Sequence, residues 1–338
     1  MKDSQNMLGS IKMIPQQIRE AWEQVSQIVI PTNYNEIKNI VVSGMGGSAL
    51  GAWVIKSQFG DKLSVPLEIV NEYHLPAYIN ENTLVILSSY SGSTEETLSC
   101  ASECLEKKAK VLGITTGGQL EVFLMKYNFP MYKIKPVSNP CNQPRMALGY
   151  SIFGQIALLN KIGLIHMSFS EIEQSLSSIN LDSIEKAAQT LSPQLKNKQI
   201  IVIASEHLSA NAHICANQLN ENAKNFAFYF LLSELNHHLM EGLQFPKKNP
   251  ENLIFLLLMS KKYSERMLKR LKITHDVIFK HNVPIVEYTT TLSEISKLAE
   301  GVETLIFSSF ISFYLSQENG IDPSPIPWVD YFKDKLGE

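Results

Sequence analysis

The sequence predicts an α/β protein with two doubly wound domains, each a three-layer sandwich of helices around a mainly parallel sheet. Short apolar runs alternate with stretches of helical spacing, which is the rhythm of βαβ units. The rhythm pauses at a polar stretch, residues 167–182, and then restarts. A chain of 338 residues is also long enough to fold as two domains.

The first half of the chain predicts a series of buried strands separated by helices. Its apolar runs are NIVVSG (39–44), VPLEIVNEY (65–73), NTLVILSSYSGS (82–93), KAKVLGIT (108–115) and MYKIK (131–135). Helical spacing follows the first, third and fifth runs, over Ser48–Phe59, Thr94–Lys107 and 146–160. Apolar runs that end in glycine or other small residues are typical of parallel strands buried on both faces.

The second half repeats this pattern after the polar stretch. Its apolar runs are KQIIVIASE (198–206), NFAFYFLLSE (225–234), ENLIFLLLM (251–259) and VPIVEY (283–288), with helices between them. A long helical stretch, Leu292–Ser316, and a short helix after Pro327 follow. We therefore expect an N-terminal domain over residues 1–166, a linker over 167–182 and a C-terminal domain over 183–338.

The composition argues against a protein that binds nucleic acids or membrane surfaces. Lys and Arg number 30 against 33 Asp and Glu, a formal net charge of −3, with no long block of either sign. The first residues lack the apolar core of a signal peptide, and runs such as Leu253–Met259 are far shorter than a membrane span. The cysteines show no CxxC spacing, which favours buried thiols in a reducing, cytoplasmic setting over disulfides or zinc.

A glycine-rich loop, GMGGSALG, joins the first predicted strand to the first predicted helix. It matches the dinucleotide pattern G-x-G-x-x-G at Gly44 and Gly46, with Ala49 in place of the third glycine. Glu68 and Glu72 are possible partners for a ribose, but neither ends its strand cleanly. No GK[ST] follows, which excludes a P-loop. The motif alone leaves three interpretations open: a dinucleotide turn, another phosphate cradle, or a loop without a ligand.

A second loop, SSYSGSTEET, also follows a strand and enters a helix. It offers the hydroxyls of Ser89, Ser91, Ser93 and Thr94 around Gly92. Ligands bind at the carboxyl ends of strands in open α/β sheets, and hydroxyls, backbone N–H groups and helix N-termini all donate to anions. The bland alternative is helix capping through the S-x-x-E pattern. Capping explains one hydroxyl, whereas four beside a matching first loop favour a phosphate ester.

The two loops together resemble the paired signature of sugar isomerase (SIS) domains, which bind phosphosugars. NQPRMALGY, QLNENAKN, SELNHHLMEG and GIDPSPIP resemble segments of one branch, the bifunctional phosphoglucose/phosphomannose isomerases. The resemblance implies SIS-type domains in a homodimer with shared active sites. It also implies that Gly47, Ser48, Ser89, Ser91 and Thr94 bind the substrate phosphate.

The resemblance further implies an aldose–ketose isomerase acting through a cis-enediol. Its substrates would be glucose 6-phosphate and fructose 6-phosphate, with mannose 6-phosphate as a further candidate. Such chemistry needs a base, a ring-opening group and a cation for the enediolate oxygens, but no cofactor. The family pattern assigns these roles to Glu221, His237 and Arg145 respectively. From the residues alone, Glu221 reads as a solvated carboxylate and Arg145 as a surface arginine.

A metal site is the alternative use of the same region. Glu234, His238 and Glu241 have the i, i+4, i+7 spacing of one helix face. A catalytic metal usually takes three protein ligands in a fixed geometry, and no other His or Cys cluster supports one here. We therefore expect no metal.

The chain departs from the family pattern at one position. Family members can carry a second ring-opening group, a lysine in the helix before the closing DP turn, where this chain has Ser316 and Gln317. That role is therefore either absent or carried by His237 alone.

Two further interpretations use the same fold for other functions. A non-catalytic phosphosugar sensor would normally carry a basic DNA-binding helix-turn-helix, whereas the segment before the first strand is short and poor in Lys and Arg. The isomerase part of an amidotransferase would bring a glutaminase domain with a cysteine at position 2, which is lysine here.

Overall fold

The computed structural model describes residues 1–337, which divide into two compact units. The N-terminal unit comprises Met13–Phe169 and residues 326–337, and the C-terminal unit comprises Met1–Lys12 and Ser170–Pro325. The first residues of the chain thus belong to the C-terminal unit, and the last described residues belong to the N-terminal unit. Each unit is built on a parallel sheet.

The N-terminal unit has a five-stranded sheet in residues 39–133, with strand order β2-β1-β3-β4-β5. The strands are β1 (Asn39–Gly44), β2 (Leu67–Val70), β3 (Thr83–Ser88), β4 (Lys110–Thr115) and β5 (Met131–Lys133). All neighbouring pairs are parallel. The order reverses at β1, so the sheet is doubly wound as predicted.

Helices cover both faces of this sheet. Helix α1 (Met7–Lys12) belongs to the C-terminal unit; those of the N-terminal unit before residue 170 are α2 (Ile14–Ser26), α3 (Leu50–Phe59), α4 (Glu95–Glu106), α5 (Gly118–Lys126) and α6 (Leu148–Lys161). Helices α4 and α5 form one core with the face of β1 that carries Val41, while Ile40 and Val42 on its other face are also fully buried. Helices α3 and α6 contact the sheet as well, and α2 packs on α6.

The C-terminal unit repeats the same strand order with one strand fewer among the described residues, β7-β6-β8-β9. Its strands, all parallel, are β6 (Gln199–Ala204), β7 (Ala227–Leu231), β8 (Leu253–Met259) and β9 (Ile285–Thr289). Its helices after α1 are α7 (Phe169–Ser177), α8 (Leu181–Leu195), α9 (Ser209–Glu221), α10 (Leu232–His238), α11 (Asn249–Asn252), α12 (Glu265–Lys280) and α13 (Lys297–Glu318). Helix α14 (Pro327–Leu336) follows in the N-terminal unit.

Helix α13 forms the centre of the C-terminal unit. It packs against α1, α8 and α9. By length and composition it is the one helix in residues 1–337 that could cross a membrane, but 83% of its most apolar window is buried inside the protein. A helix that is apolar all round and buried in this way is a core helix.

All nine predicted strands are present, and the predicted helices begin and end within a few residues of their expected positions. The sequence reading did not identify α1, α2 or α5. The stretch 167–182, expected as a linker, holds α7 and the start of α8. The units divide at Lys12, Phe169 and Pro325, while the predicted domain boundaries stay a prediction.

Candidate functional site

The two predicted phosphate loops start side by side in the N-terminal unit. Strands β1 and β3 are neighbours, and their last residues, Gly44 and Ser88, are partners in the register. We call residues 44–49 loop 1 and residues 88–94 loop 2. Their position at the carboxyl ends of adjacent parallel strands is where open α/β sheets bind ligands.

Glycine lets loop 1 approach loop 2 closely. A Cβ atom on Gly44 would lie 2.8 Å from the Ser88 carbonyl oxygen, so a larger residue would force the loops apart. Gly46 has a φ of +48°, and Gly46–Ser48 then form one turn of 3₁₀ helix before α3. Gly47 and Ser48 remain half-buried, so a ligand can reach them.

Ser48 joins the two loops by hydrogen bonds. Its hydroxyl accepts the main-chain N–H of Tyr90 at 3.0 Å, and its carbonyl oxygen accepts the Ser88 hydroxyl at 2.8 Å. The Gln155 amide of α6 donates to the same carbonyl at 2.9 Å. A hydroxyl that accepts one bond still has its own proton to donate. Ser48 can therefore hold loop 2 and donate to an anion at the same time.

In loop 2, a buried serine orients a more exposed threonine. Ser89 is 1% exposed, and its hydroxyl accepts the Gly92 N–H at 3.0 Å and lies 2.8 Å from the Thr94 hydroxyl oxygen. Thr94 occupies the N-cap position of α4, yet its side chain makes no capping bond. Capping is therefore not what its hydroxyl does. Ser91 is exposed, with its hydroxyl 3.0 Å from that of Ser93.

Gly92 is fixed against the turn that follows β4. It has a φ of +72°, and a Cβ atom there would lie 1.8 Å from the Gly117 carbonyl oxygen. The Gly92 carbonyl accepts the N–H of Leu120 at 2.9 Å, and the Tyr90 carbonyl accepts that of Thr116 at 2.9 Å. No residue with a side chain fits at position 92 without moving the backbone.

Arg145 is buried, not on the surface as its residue type alone suggests. It is 5% exposed and lies in a 3₁₀ turn, Pro144–Met146, just before α6. Its guanidinium donates to the Gln143 side-chain oxygen at 2.7 Å. Leu148, three residues further on, packs beside Gly47: a Cβ atom on Gly47 would lie 3.5 Å from it. The segment with Arg145 thus runs against loop 1.

Gln17 of α2, which was not predicted to be a functional residue, fixes the main chain of the segment that carries Arg145. It is fully buried, and its amide donates to the carbonyl oxygens of Ser138 at 3.0 Å and Met146 at 2.9 Å. Its side-chain oxygen accepts the Gly149 N–H at 3.1 Å. One side chain therefore uses both ends of its amide to fix the chain on either side of Arg145. The signal was present: Ile14, Ile18, Ala21 and Val25 recur at helical spacing.

Glu221 lies in the C-terminal unit, as the last residue of α9, and is half-buried. Its two neighbours are anchored. The fully buried Asn222 donates to the Ser312 hydroxyl of α13 at 3.0 Å, and the Asn220 side chain exchanges two hydrogen bonds with the main chain of Ala227 in β7. This fixes the main chain on both sides of the carboxylate.

His237 and His238 end α10 in the same unit, and both are exposed. The His238 ring centroid lies 5.6 Å from that of Phe230, whereas no residue in 1–337 hydrogen-bonds the His237 ring. In these residues no group of three or more His, Cys, Asp or Glu side chains could hold a metal ion, Glu234, His238 and Glu241 included.

Ser316 and Gln317 serve the packing of α13. Ser316 is fully buried and donates to the Phe313 carbonyl at 2.6 Å. Gln317 exchanges two hydrogen bonds with the main chain of Lys2, at 2.7 and 2.9 Å. Neither side chain supplies an ammonium group for proton transfer.

The sequence reading also missed a buried carboxylate in α13. Glu300 is fully buried and accepts hydrogen bonds from His207, Ser260, Thr290 and Ser293, at 2.5 to 2.9 Å. Burial alone would raise the pKa of Glu300, but these hydrogen bonds outweigh it and lower that pKa to about 2. The carboxylate thereby ties the residues after β6, β8 and β9 to α13. Acidic residues at 300 and 303 in a mainly apolar helix were the available signal.

Comparisons with known families match each half of the chain. Residues 184–336 match the model of the bacterial phospho-glucose isomerase C-terminal SIS domain, and residues 33–120 match that of the SIS domain. A bifunctional phosphoglucose/phosphomannose isomerase of Caldicellulosiruptor bescii is 32% identical over 98% of this chain and 99% of its own length. One of Aquifex aeolicus is 27% identical over 93% of this chain and 94% of its own length.

A solved structure has the same fold at low sequence identity. The C-terminal domain of glucosamine-fructose-6-phosphate aminotransferase from Francisella tularensis superposes with a TM-score of 0.70 at 13% identity. The match covers 95% of this chain and 98% of that one. Both sheets therefore belong to SIS-type domains.

Proposed function

The chain belongs to the family of bifunctional phosphoglucose/phosphomannose isomerases and is an isomerase; from this we propose the reaction and the residues that perform it. The enzyme interconverts glucose 6-phosphate, and mannose 6-phosphate, with fructose 6-phosphate. The observation that carries this proposal is the pair of hydrogen-bonded hydroxyl loops at the carboxyl ends of β1 and β3. A phosphate ester carries about −1.5 to −2 charges at neutral pH and accepts bonds from such donors.

In the proposed site, Gly47, Ser48, Ser91 and Thr94 donate to the phosphate, and Ser89 acts through Thr94. Three features support this. Ser48 keeps a free proton while holding loop 2, Thr94 is oriented without being used as a cap, and α4 directs its N-terminus at loop 2. These donors are neutral, and the proposed phosphate site uses hydrogen bonds and the N-terminus of α4 in place of a lysine or arginine.

Glu221 is the proposed base that moves the proton between C2 and C1 of the open-chain sugar. The anchored asparagines on both sides support this role, because a general base must be held within hydrogen-bond reach of the proton it takes. His237 opens the sugar ring, since an imidazole can both accept and donate a proton near neutral pH.

Arg145 is the proposed partner of the enediolate oxygens. A buried guanidinium stays charged, and a cation held in place before the reaction stabilises negative charge that develops in the transition state. The Gln17 clamp supports this assignment, because it fixes the main chain on both sides of Arg145.

We also propose a cytoplasmic homodimer in which His237 acts in the site of the neighbouring subunit. His237 is exposed and has no hydrogen-bond partner in residues 1–337 of its own chain. In the same unit, Phe226 is 65% exposed and Phe245 is 64% exposed. A subunit interface on this unit would cover exposed phenylalanines such as these.

The test of the proposed function is a coupled assay of the purified protein with fructose 6-phosphate, following glucose 6-phosphate and mannose 6-phosphate separately. Turnover to either aldose supports the proposal. Binding of all three sugars without turnover would contradict it and favour a phosphosugar sensor.

A further inference from the structure

Helix α10, which carries His237, is too short to be stable alone. It has seven residues, Leu232–His238, which is about two turns, and isolated helices of that length are marginal in water. Leu232 and Leu235 anchor one side, at 0% and 1% exposure. These two residues lie on one face of the helix, and apolar contacts are non-directional, so small rotations about the helix axis are not opposed by any specific bond from this face.

Asn236 supplies the contact that fixes this rotation. Its side-chain oxygen accepts Arg270 Nη1 at 3.1 Å, and its side-chain nitrogen donates to the Thr274 hydroxyl at 2.7 Å. Both partners lie one turn apart on α12. The Thr274 hydroxyl in turn donates to the Arg270 carbonyl at 2.9 Å. Both ends of the Asn236 amide are therefore held by the same face of a longer helix.

His237 follows directly in the chain, so the hydrogen bonds of Asn236 fix the main chain from which the imidazole projects. We propose that Asn236 is a positioning residue: it acts on ring opening by holding His237 in the orientation that reaches the sugar. This inference rests on the ring-opening role of His237 in the proposed function. Asn236 itself takes part in no proton transfer.

The test compares kcat in a double-mutant cycle of Asn236→Leu and His237→Ala in the full-length protein. Leucine has the branched shape of asparagine but removes both hydrogen bonds, and we expect kcat to fall about tenfold. In the His237→Ala background the same change should alter kcat by less than about twofold, because the two residues act in one unit. KM should stay constant, since loops 1 and 2 are untouched.

Two further variants separate positioning from folding. Asn236→Asp keeps the acceptor for Arg270 and should recover most of the lost activity. Arg266→Ala removes an exposed charge one turn from Arg270 on α12 and should leave kcat unchanged.

The outcomes distinguish this inference from the proposed function. If His237→Ala keeps full activity, the assignment of His237 and the role of Asn236 both fall. If His237→Ala loses activity while Asn236→Leu does not, only the role of Asn236 is overturned. The same holds if Asn236→Leu lowers kcat by the same factor in the wild-type and His237→Ala backgrounds.

Discussion

The main-chain N–H of Tyr90 donates to the Ser48 hydroxyl at 3.0 Å, so loop 2 is bound to loop 1 through a side chain with its own proton still available. The two loops are thus linked by this hydrogen bond, and a substitution at Ser48 alters loop 1 directly and loop 2 through the lost bond to Tyr90. This relationship determines how the proposed phosphate site should respond to substitution.

Ser48→Ala should raise KM for fructose 6-phosphate about tenfold, the value of one charge-assisted hydrogen bond, with a smaller effect on kcat. Thr94→Ala should act similarly, because it removes the hydroxyl that Ser89 orients. Steady-state kinetics measure both. Ser102→Ala, on the exposed side of α4, is the matched control. An unchanged KM in both variants would show that loops 1 and 2 do not bind the substrate phosphate.

Glu221→Gln should lower kcat by roughly 10²–10⁴ and leave KM nearly constant, because glutamine keeps the size of the side chain but cannot take the C2 proton. In D₂O the wild type should place deuterium at C2 of the aldose product, measured by NMR, and the variant should not. Glu294→Gln changes an exposed carboxylate of the same unit and serves as control. Wild-type exchange in the Glu221 variant would mean that another residue is the base.

Mixing inactive Glu221→Gln and His237→Ala proteins under subunit exchange should restore about a quarter of wild-type activity, as expected for shared sites in a two-fold dimer. Half of the dimers would be mixed, and one of their two sites would have both groups. Activity of the mixture over time measures this, with each variant mixed with itself as control. A fully active protein that stays monomeric by light scattering would refute shared sites.

The stability of the protein should depend on Glu300 in acid. Its pKa is lowered from 4.5 to about 2 in the folded protein. A group with a lowered folded pKa stabilises the fold above its unfolded pKa, and this contribution disappears as pH falls from about 4.5 toward about 2. The contribution near neutral pH is about 3 kcal/mol by linkage.

Denaturant unfolding of the wild type and Glu300→Gln at several pH values tests this. Near pH 6 the wild type should have the larger free energy of unfolding, and the difference between the two proteins should be greatest there. The difference should shrink as the pH falls below 4.5. Glu294→Gln should show no such convergence. A difference that is constant with pH would mean that Glu300 is not held ionised by its hydrogen bonds.

The sequence predicted the strands well because a buried parallel strand is a short apolar run that ends in a turn, and both features are local. The two loops at the ends of β1 and β3 could be located for the same reason, since their hydroxyls and glycines lie within a few residues of each other; their binding of a phosphate stays a prediction. Helix α2 was not predicted, although its apolar residues recur at helical spacing among polar ones. Helix α7 and the start of α8 lie in a serine-rich stretch whose polarity resembles that of a linker.

The remaining features depend on contacts between residues far apart in the chain. The main chain on either side of Arg145 is fixed by Gln17 of α2, and the side chain of Asn236 is held by α12, which starts 29 residues later. The interacting residues are too far apart in the chain for a local sequence pattern to include both of them. The low pKa of Glu300 likewise requires donors from three separate strand ends.

The close contact of Gly92 with Gly117 means that this part of loop 2 becomes ordered when the protein folds, before any ligand binds. A glycine is the residue with most conformational freedom in the unfolded chain, and at position 92 that freedom is lost when the protein folds. Gly92 therefore has no conformational freedom left to lose on ligand binding. Binding of an anion to loop 2 should cost less conformational entropy than binding to a mobile loop. In the proposed site the donors of loop 2 are therefore arranged before the phosphate binds, and we expect the association rate to be set by encounter and not by loop closure.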